Sequence, residues 1–305
     1  MPSFRSARGQ AEHAIGRALA LGEARHGARD DGRVHSVGSA RVYAQALTGA
    51  ARWQQVQGDH RGLQYLTTEQ ARAYLDDRAQ AVGQKTLDLD RQALRLLPNV
   101  ERDGLKRVFS QAERPPGLAE QPRAYTPEQR ELVYQGLSER AALAAEIVHA
   151  AGLRAHELLS LRPLAEQPAS GHRQWSPARF AGREDRARYS VNGKGGLIRE
   201  VALPRALAER LETHRLASPR AVTDRGVRYQ AHYALPAGSS LSSAWSAASR
   251  QELGWSAGIH GLRHSYAQER MGELQGSGYG YPNALAIVSQ EMGHFRPDIT
   301  EVYLR

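Results

Sequence analysis

Apolar positions recur with helical spacing along most of this chain, starting just after Ser39. Tyr43, Ala46, Leu47, Ala50 and Trp53 stand three or four residues apart, which places them on one face of a helix. Gly58 ends that run. Thr67-x-x-Gln70 reads as a capping box opening a second helix, with Ala71, Tyr74 and Leu75 turned inward. Further helices are expected over 86–97, stopped by Pro98, and over 100–111. Residues 35–112 thus predict a small all-α domain. Residues 1–34 carry Arg5, Arg8, Arg17, Arg25, Arg29 and Arg33 without sustained periodicity. They are expected to form a basic arm with one short helix near 11–21, either contacting a polyanion or simply solvated. Residues 113–123, which include Glu113-Arg-Pro-Pro-Gly-Leu-Ala-Glu-Gln-Pro122, have the composition of a linker.

A second domain is expected over 124–305. Thr126-Pro127-Glu128-Gln129 combines a capping threonine, a proline at the first helical position and a glutamine that closes the box. Leu143, Ile147 and Val148 continue an apolar helix to Ala151, and Gly152 breaks it. A new helix is expected from Arg154 through Leu158, Leu159 and Leu161 to the stop at Pro163. Residues 163–187 are polar, rich in Pro, Gly and Arg, and read as an irregular excursion. The period then changes to two over 188–192 and 197–203, joined by Gly193-Lys194-Gly195-Gly196 as a hairpin. Helices follow at about 204–216, 240–253, 260–274, 283–292 and 298–304. The fold class is mainly α with a small β-hairpin or sheet.

Composition narrows the function classes. No stretch approaches the roughly 18 apolar residues of a membrane span, and the first thirty residues lack a signal-peptide core, so a cytoplasm or nucleoid location is expected. The absence of cysteine excludes disulfides, thiolate metal sites and cysteine nucleophiles. A net charge of +9 and a pI near 10.0 favour a polyanionic partner. Because 38 of the 41 basic residues are arginine, GC-rich coding would produce the same excess. There is no His-Glu-x-x-His, no series of spaced carboxylates and no Gly-Lys-Ser/Thr phosphate loop, so no metal or other cofactor is expected.

The residues able to carry chemistry cluster late in the chain. A phenol titrates near 10 and is a poor nucleophile unless cations surround it. Tyr303 stands nine residues after Gly293-His294, a helix end with an imidazole. His260 and Arg263 share a helix face and suit a phosphate with two non-bridging oxygens, with His264 beside Arg263 as a structural partner. Arg154 at a helix start opposes the macrodipole, so it is paired either with a ligand anion or with Glu157. Lys194, one of only three lysines, sits at a glycine-rich hairpin tip. It is either a solvated turn residue or a general acid, a role arginine cannot fill.

This ordered set resembles the catalytic domain of the tyrosine recombinases, the phage-integrase and Xer-type site-specific DNA recombinases. The matching stretches are Ala151-Gly-Leu-Arg-Ala-His-Glu-Leu-Leu-Ser-Leu161, Gly193-Lys194-Gly195 with the strand after it, His260-Gly-Leu-Arg-His264, Met292-Gly-His294, and Ile299-Thr300 with Tyr303. The likeness covers roughly 124–305, and 35–112 resembles the family's helical core-binding domain by pattern only. The resemblance implies that Tyr303 attacks the scissile phosphate, leaving a 3′-phosphotyrosyl link and a free 5′-hydroxyl. Arg154 and Arg263 would hold the non-bridging oxygens, Lys194 would protonate the leaving oxygen, and His260 would assist proton transfer. His294 would donate to the phosphate and Glu157 would support Arg154. It also implies double-stranded DNA with specific sites as partner, a homotetramer on DNA, DNA-bending accessory proteins, and a mobile-element setting.

The 162–187 and 272–282 stretches are long for the family and are either DNA- or subunit-contacting insertions or tolerated surface loops. Only Leu304 and Arg305 follow Tyr303, which leaves the mode of tetramer assembly open. A type IB topoisomerase-like enzyme and a catalytically silent DNA-binding protein on the same fold are the competing readings.

Overall fold

The computed structural model describes residues 6–20, 32–112 and 122–305. The chain divides into two units, Met1–Leu118 and Ala119–Arg305. Apart from Pro122 and Arg123, the expected linker lies outside the described residues, as do 1–5 and 21–31 of the expected arm.

The first unit is built from α1 (Ala7–Ala18), α2 (Val37–Val56), α3 (Thr68–Ala79) and α4 (Gln84–Leu94). The capping box forms as its spacing predicts: the Thr67 hydroxyl accepts from the Gln70 N–H, and Gln70 Oε1 accepts from the Thr67 N–H. Leu47, Leu66, Leu75, Leu87 and Leu94 are buried in one core, each contributing about 1.5–3 kcal/mol. The helix near 11–21 falls instead at Ala7–Ala18 and adds Ala11 and Ile15 to that core. No helix forms over 100–111. There the backbone is taken by side chains of neighbouring segments: Leu105 O accepts from Arg91 Nε at 2.8 Å and the Ser110 N–H donates to Gln84 Oε1 at 2.9 Å.

In the second unit, α5 (Pro127–Gln135) opens on the Thr126–Gln129 box and α6 (Glu139–Ala150) follows. The helix expected from Arg154 to Leu161 reduces to one 3-10 turn, Glu157–Ser160. Leu158, Leu159 and Leu161 are all buried, so the segment has no solvent face. Its polar groups serve other elements: Ala155 O accepts from the Gly238 N–H and Ser160 Oγ from the Asn192 N–H.

A three-stranded antiparallel sheet joins β1 (Arg162–Pro163), β2 (Ala187–Asn192) and β3 (Ile198–Leu203) in that order. The excursion between β1 and β2 is anchored by hydrogen bonds. The Ser170 N–H donates to Ile198 O, the Ser176 N–H to Gln290 Oε1 and the Phe180 N–H to Glu291 Oε1, and Arg183 pairs bidentately with Glu273.

The helix expected over 204–216 ends early as α7 (Arg205–Glu212). A second antiparallel pair that was not expected then forms, starting within the last residues of that expected helix: β4 (Arg215–Asp224) and β5 (Val227–Tyr233). The chain continues through α8 (Gly238–Leu253), α9 (His260–Gly276), α10 (Tyr281–Glu291), α11 (Pro297–Glu301) and a final 3-10 turn, Val302–Leu304. Trp245 of α8 lies at the centre of the core, edge-on to Tyr125 and Tyr134. The architecture is therefore helical with two small antiparallel sheets.

Candidate active site

Two tight glycines shape the site. Gly152 has a φ of +56°, and a Cβ there would lie 2.5 Å from the Tyr266 ring. Only glycine lets the chain turn out of α6 so closely packed, and the turn aims the Gly152 carbonyl at two guanidiniums. Arg263 Nη1 donates to it, and Arg199 Nη2 does so at 3.4 Å. Gly293, with a φ of +74°, plays the same part after α10, where a Cβ would lie 2.9 Å from Arg199 Cδ.

Arg154 follows this turn. Its backbone N–H donates to Glu157 Oε2 at 2.8 Å and its Nη1 to Glu157 Oε1 at 2.7 Å. Arg199 holds the same carboxylate from β3, with Nη2 2.7 Å from Oε2, and its Nη1 donates to Glu291 O. Glu157 is fully buried. Burial alone would raise its pKa, but Arg199, Arg154 and Arg263 outweigh that and hold it below the ordinary carboxylate value. Arg263, from the first turn of α9, is also fully buried and donates from Nη2 to Met292 O at 2.6 Å. Burial first, and Arg154 next, lower it to about 9, still cationic near neutrality. Three guanidiniums thus face one carboxylate.

The three histidines meet around the phenol. His260 Nε2 lies 3.1 Å from the Tyr303 hydroxyl. The Tyr303 ring centroid is 4.6 Å from that of His264, 5.1 Å from that of His294 and 5.6 Å from Arg263 Cζ. Burial and then the Arg263 charge push His260 and His294 each down to about 3, so both imidazoles are neutral near pH 7. His260 can therefore accept the Tyr303 proton. Arg263 Nη2 points at His294 Nε2 from 3.0 Å, and His294 Nδ1 lies 3.0 Å from Thr300 Oγ1. Since a guanidinium only donates, Nε2 is the acceptor and Nδ1 carries the proton.

The structure brings Arg154, Glu157, His260, Arg263, His294 and Tyr303 together. Lys194 lies on the one-turn 3-10 segment Lys194–Gly196 between β2 and β3, and its side chain is outside the described residues. Sequence reasoning named Thr300 only within a matching stretch and missed Arg199 and Gln268, whose Nε2 donates to Tyr303 O at 3.2 Å. Arg199 had a signal: it is in phase with Val201 and Leu203, the buried face of β3. Among the described residues no cluster of side chains is suited to a metal, and no helix is long and apolar enough to cross a membrane.

Fold and site together define a chain with the tyrosine-recombinase fold. It is similar to XerH site-specific recombinase in a post-cleavage complex with palindromic difH substrate, with a TM-score of 0.54 and 13% identity over 100% of this chain and 94% of that one. The pre-cleavage complex of XerH with difH substrate gives 0.52 and 15% over the same shares. A lambda integrase (75-356) dimer bound to a COC′ core site gives 0.53 and 14% over 90% of each chain. No family model and no curated protein matches the sequence.

Proposed function

We propose that this protein is a site-specific DNA recombinase that cuts and rejoins duplex DNA through Tyr303. The observation that carries the reading is the Tyr303 hydroxyl, hydrogen-bonded to a neutral imidazole beside a surplus of buried guanidiniums. A phosphodiester supplies the missing negative charge. Its two non-bridging oxygens fall to Arg154 and Arg263, which stabilise the charge that develops at phosphorus. The same anion offsets the field that holds His260 and His294 neutral, so His260 becomes a better base as substrate arrives.

The Tyr303 oxygen attacks phosphorus while its proton passes to His260. The P–O5′ bond breaks, a 3′-phosphotyrosyl bond forms, and the leaving oxygen takes its proton from Lys194. Attack by a 5′-hydroxyl reverses these steps on a new partner strand, so neither nucleotide hydrolysis nor a metal is needed. His294, turned by Thr300, assists at the phosphate once its Nε2 is released from Arg263. The helical unit that includes α1–α4 serves as a second DNA-binding body. Several copies act on paired sites of a mobile element, with DNA-bending proteins assisting, in the cytoplasm.

Nicked duplex carrying a candidate site, incubated with the protein and denatured in SDS, tests this. Wild type is expected to leave a covalent protein–DNA adduct and Tyr303→Phe none. Sequence-specific binding by wild type without an adduct would instead make it a silent DNA-binding protein. Relaxation of supercoiled DNA lacking any partner site would make it topoisomerase-like.

A further inference from the structure

The β4–β5 hairpin has no part in the chemistry above, yet it is built with care. Its turn residues Arg225 and Gly226 both have positive φ, 51° and 82°, the mirror-image two-residue turn whose twist matches antiparallel strands. The register sorts the two faces. Val222, Tyr229, Ala231 and Tyr233 pack on the core of the second unit, whereas Ala221, Thr223, Arg228 and Gln230 are exposed on the other side.

Arg220, in register with Ala231 on the inward side of the ribbon, and Arg225 in the turn are exposed as well, and none of Arg220, Arg225 and Arg228 has an ion-pair partner among the described residues. The only carboxylate in 213–233 is Asp224. It is buried and turned inward, accepting from the Ser239 N–H at 2.9 Å and from the Ser239 hydroxyl at the start of α8. The hairpin therefore presents uncompensated positive charge.

Its second strand, β5, lies beside the segment that carries Arg154. The Tyr229 ring centroid is 6.5 Å from that of His156, and Gly238, which follows the hairpin, donates its N–H to Ala155 O at 2.9 Å. Burial, and then the Arg154 and Arg225 charges, lower the His156 pKa, although Glu157 and Asp224 oppose them. From Arg220 to the end of β4 at Asp224 is four residues, about 13 Å along the strand, with Arg225 just beyond in the turn. That is the rise of roughly four nucleotides of one DNA strand.

We propose that the β4–β5 hairpin is a phosphate-backbone clamp for duplex DNA, seating Arg220, Arg225 and Arg228 on phosphates that flank the one held by Arg154 and Arg263. The proposal rests on the recombinase reading for the identity of the polyanion. Three separate guanidiniums without carboxylates or a convergent polar pocket suit a repeating anion rather than a single small ligand.

The test measures binding of the full-length protein to a fluorescently labelled duplex longer than two helical turns, across a salt series. The triple substitution Arg220→Ala, Arg225→Ala, Arg228→Ala should weaken binding roughly ten- to hundredfold near physiological salt. It should also flatten the slope of log K against log salt by about 2 to 3. Lysine at the same three positions should restore the slope, because a phosphate needs only the charge. A control, Arg140→Ala, Arg205→Ala, Arg250→Ala, removes the same net charge from exposed positions elsewhere in the unit and should change the slope by less than about 1. An unchanged slope in the hairpin variant, or an equal loss in the control, overturns the clamp. If wild type still forms its SDS-stable adduct, the recombinase reading survives that failure. A wild type that binds no duplex DNA overturns both.

Discussion

Two of the arginine–glutamate networks in the second unit differ in charge balance. Away from the site, Arg183 grips Glu273 bidentately, Arg270 bonds Glu291 and Glu273, and Arg179 pairs with Glu200, with Arg188 alongside it. Four guanidiniums there meet three carboxylates. Aromatic faces take up what is left: Arg179 Cζ lies 4.3 Å from the Trp175 ring centre, and Arg188 Cζ 4.5 Å from that of Phe180. At the site, Arg154, Arg199 and Arg263 share Glu157 alone. The first network is close to charge balance, although Nη1 of Arg183, Arg188 and Arg179 and Nε of Arg179 have no hydrogen-bond partner, and it ties the long loop between β1 and β2 to α9 and α10. The second is short of negative charge, which the phosphate of the proposed reaction would supply. Burial of ionic groups therefore does not mark function here; the unmatched charge does.

Substitutions at the two networks should part in their effects. The largest is expected at the nucleophile: Tyr303→Phe should abolish the covalent adduct while moving the thermal midpoint by only a few degrees, since one partly buried hydroxyl is lost. Arg263→Ala should slow strand cleavage roughly 10²–10³-fold, the usual loss for one preorganised donor. Its effect on stability should be the smaller one, because it relieves crowding among cations. Glu291→Gln should do the reverse. It leaves Arg270 buried without its main counter-charge and should cost about 3–5 kcal/mol by denaturant unfolding. Cleavage by the folded fraction should change far less. Equal losses of cleavage in both variants would erase the distinction between the networks.

A smaller effect comes from pH. His260 and His294 fall to about 3 in the folded protein but titrate near 6.5 when unfolded. Between those values the unfolded chain binds more protons, so stability should decline as pH drops from 7 toward 4. The double substitution His260→Gln, His294→Gln should flatten that decline in thermal melts. An undiminished decline would assign it to other groups.

What was legible in the sequence was local. Both capping boxes, the β2–β3 hairpin and the ordered motifs around Arg154, His260 and Tyr303 depend on neighbours a few residues away. What escaped depends on partners far along the chain. The 154–161 segment looks helical by its leucines, but its polar groups are claimed by Gly238 and Asn192. The 100–111 segment loses its helix to Arg91 and Gln84. The β4–β5 pair turns on Asp224-Arg-Gly-Val227, which lacks the Asn-Gly or Asp-Gly signature, and Pro219 sits at the irregularity between Arg215 and Arg220. Arg199 hid on the otherwise apolar inward face of β3, and its role appears only when Glu157 and Gly293 close around it.

The central claim is that Tyr303 becomes bonded to DNA. Wild-type protein trapped on a nicked duplex, digested and analysed by mass spectrometry, reports the linkage directly. The account predicts a nucleotide attached through its 3′-phosphate to the peptide containing Tyr303. A linkage at any other residue, or through a 5′-phosphate, would contradict it.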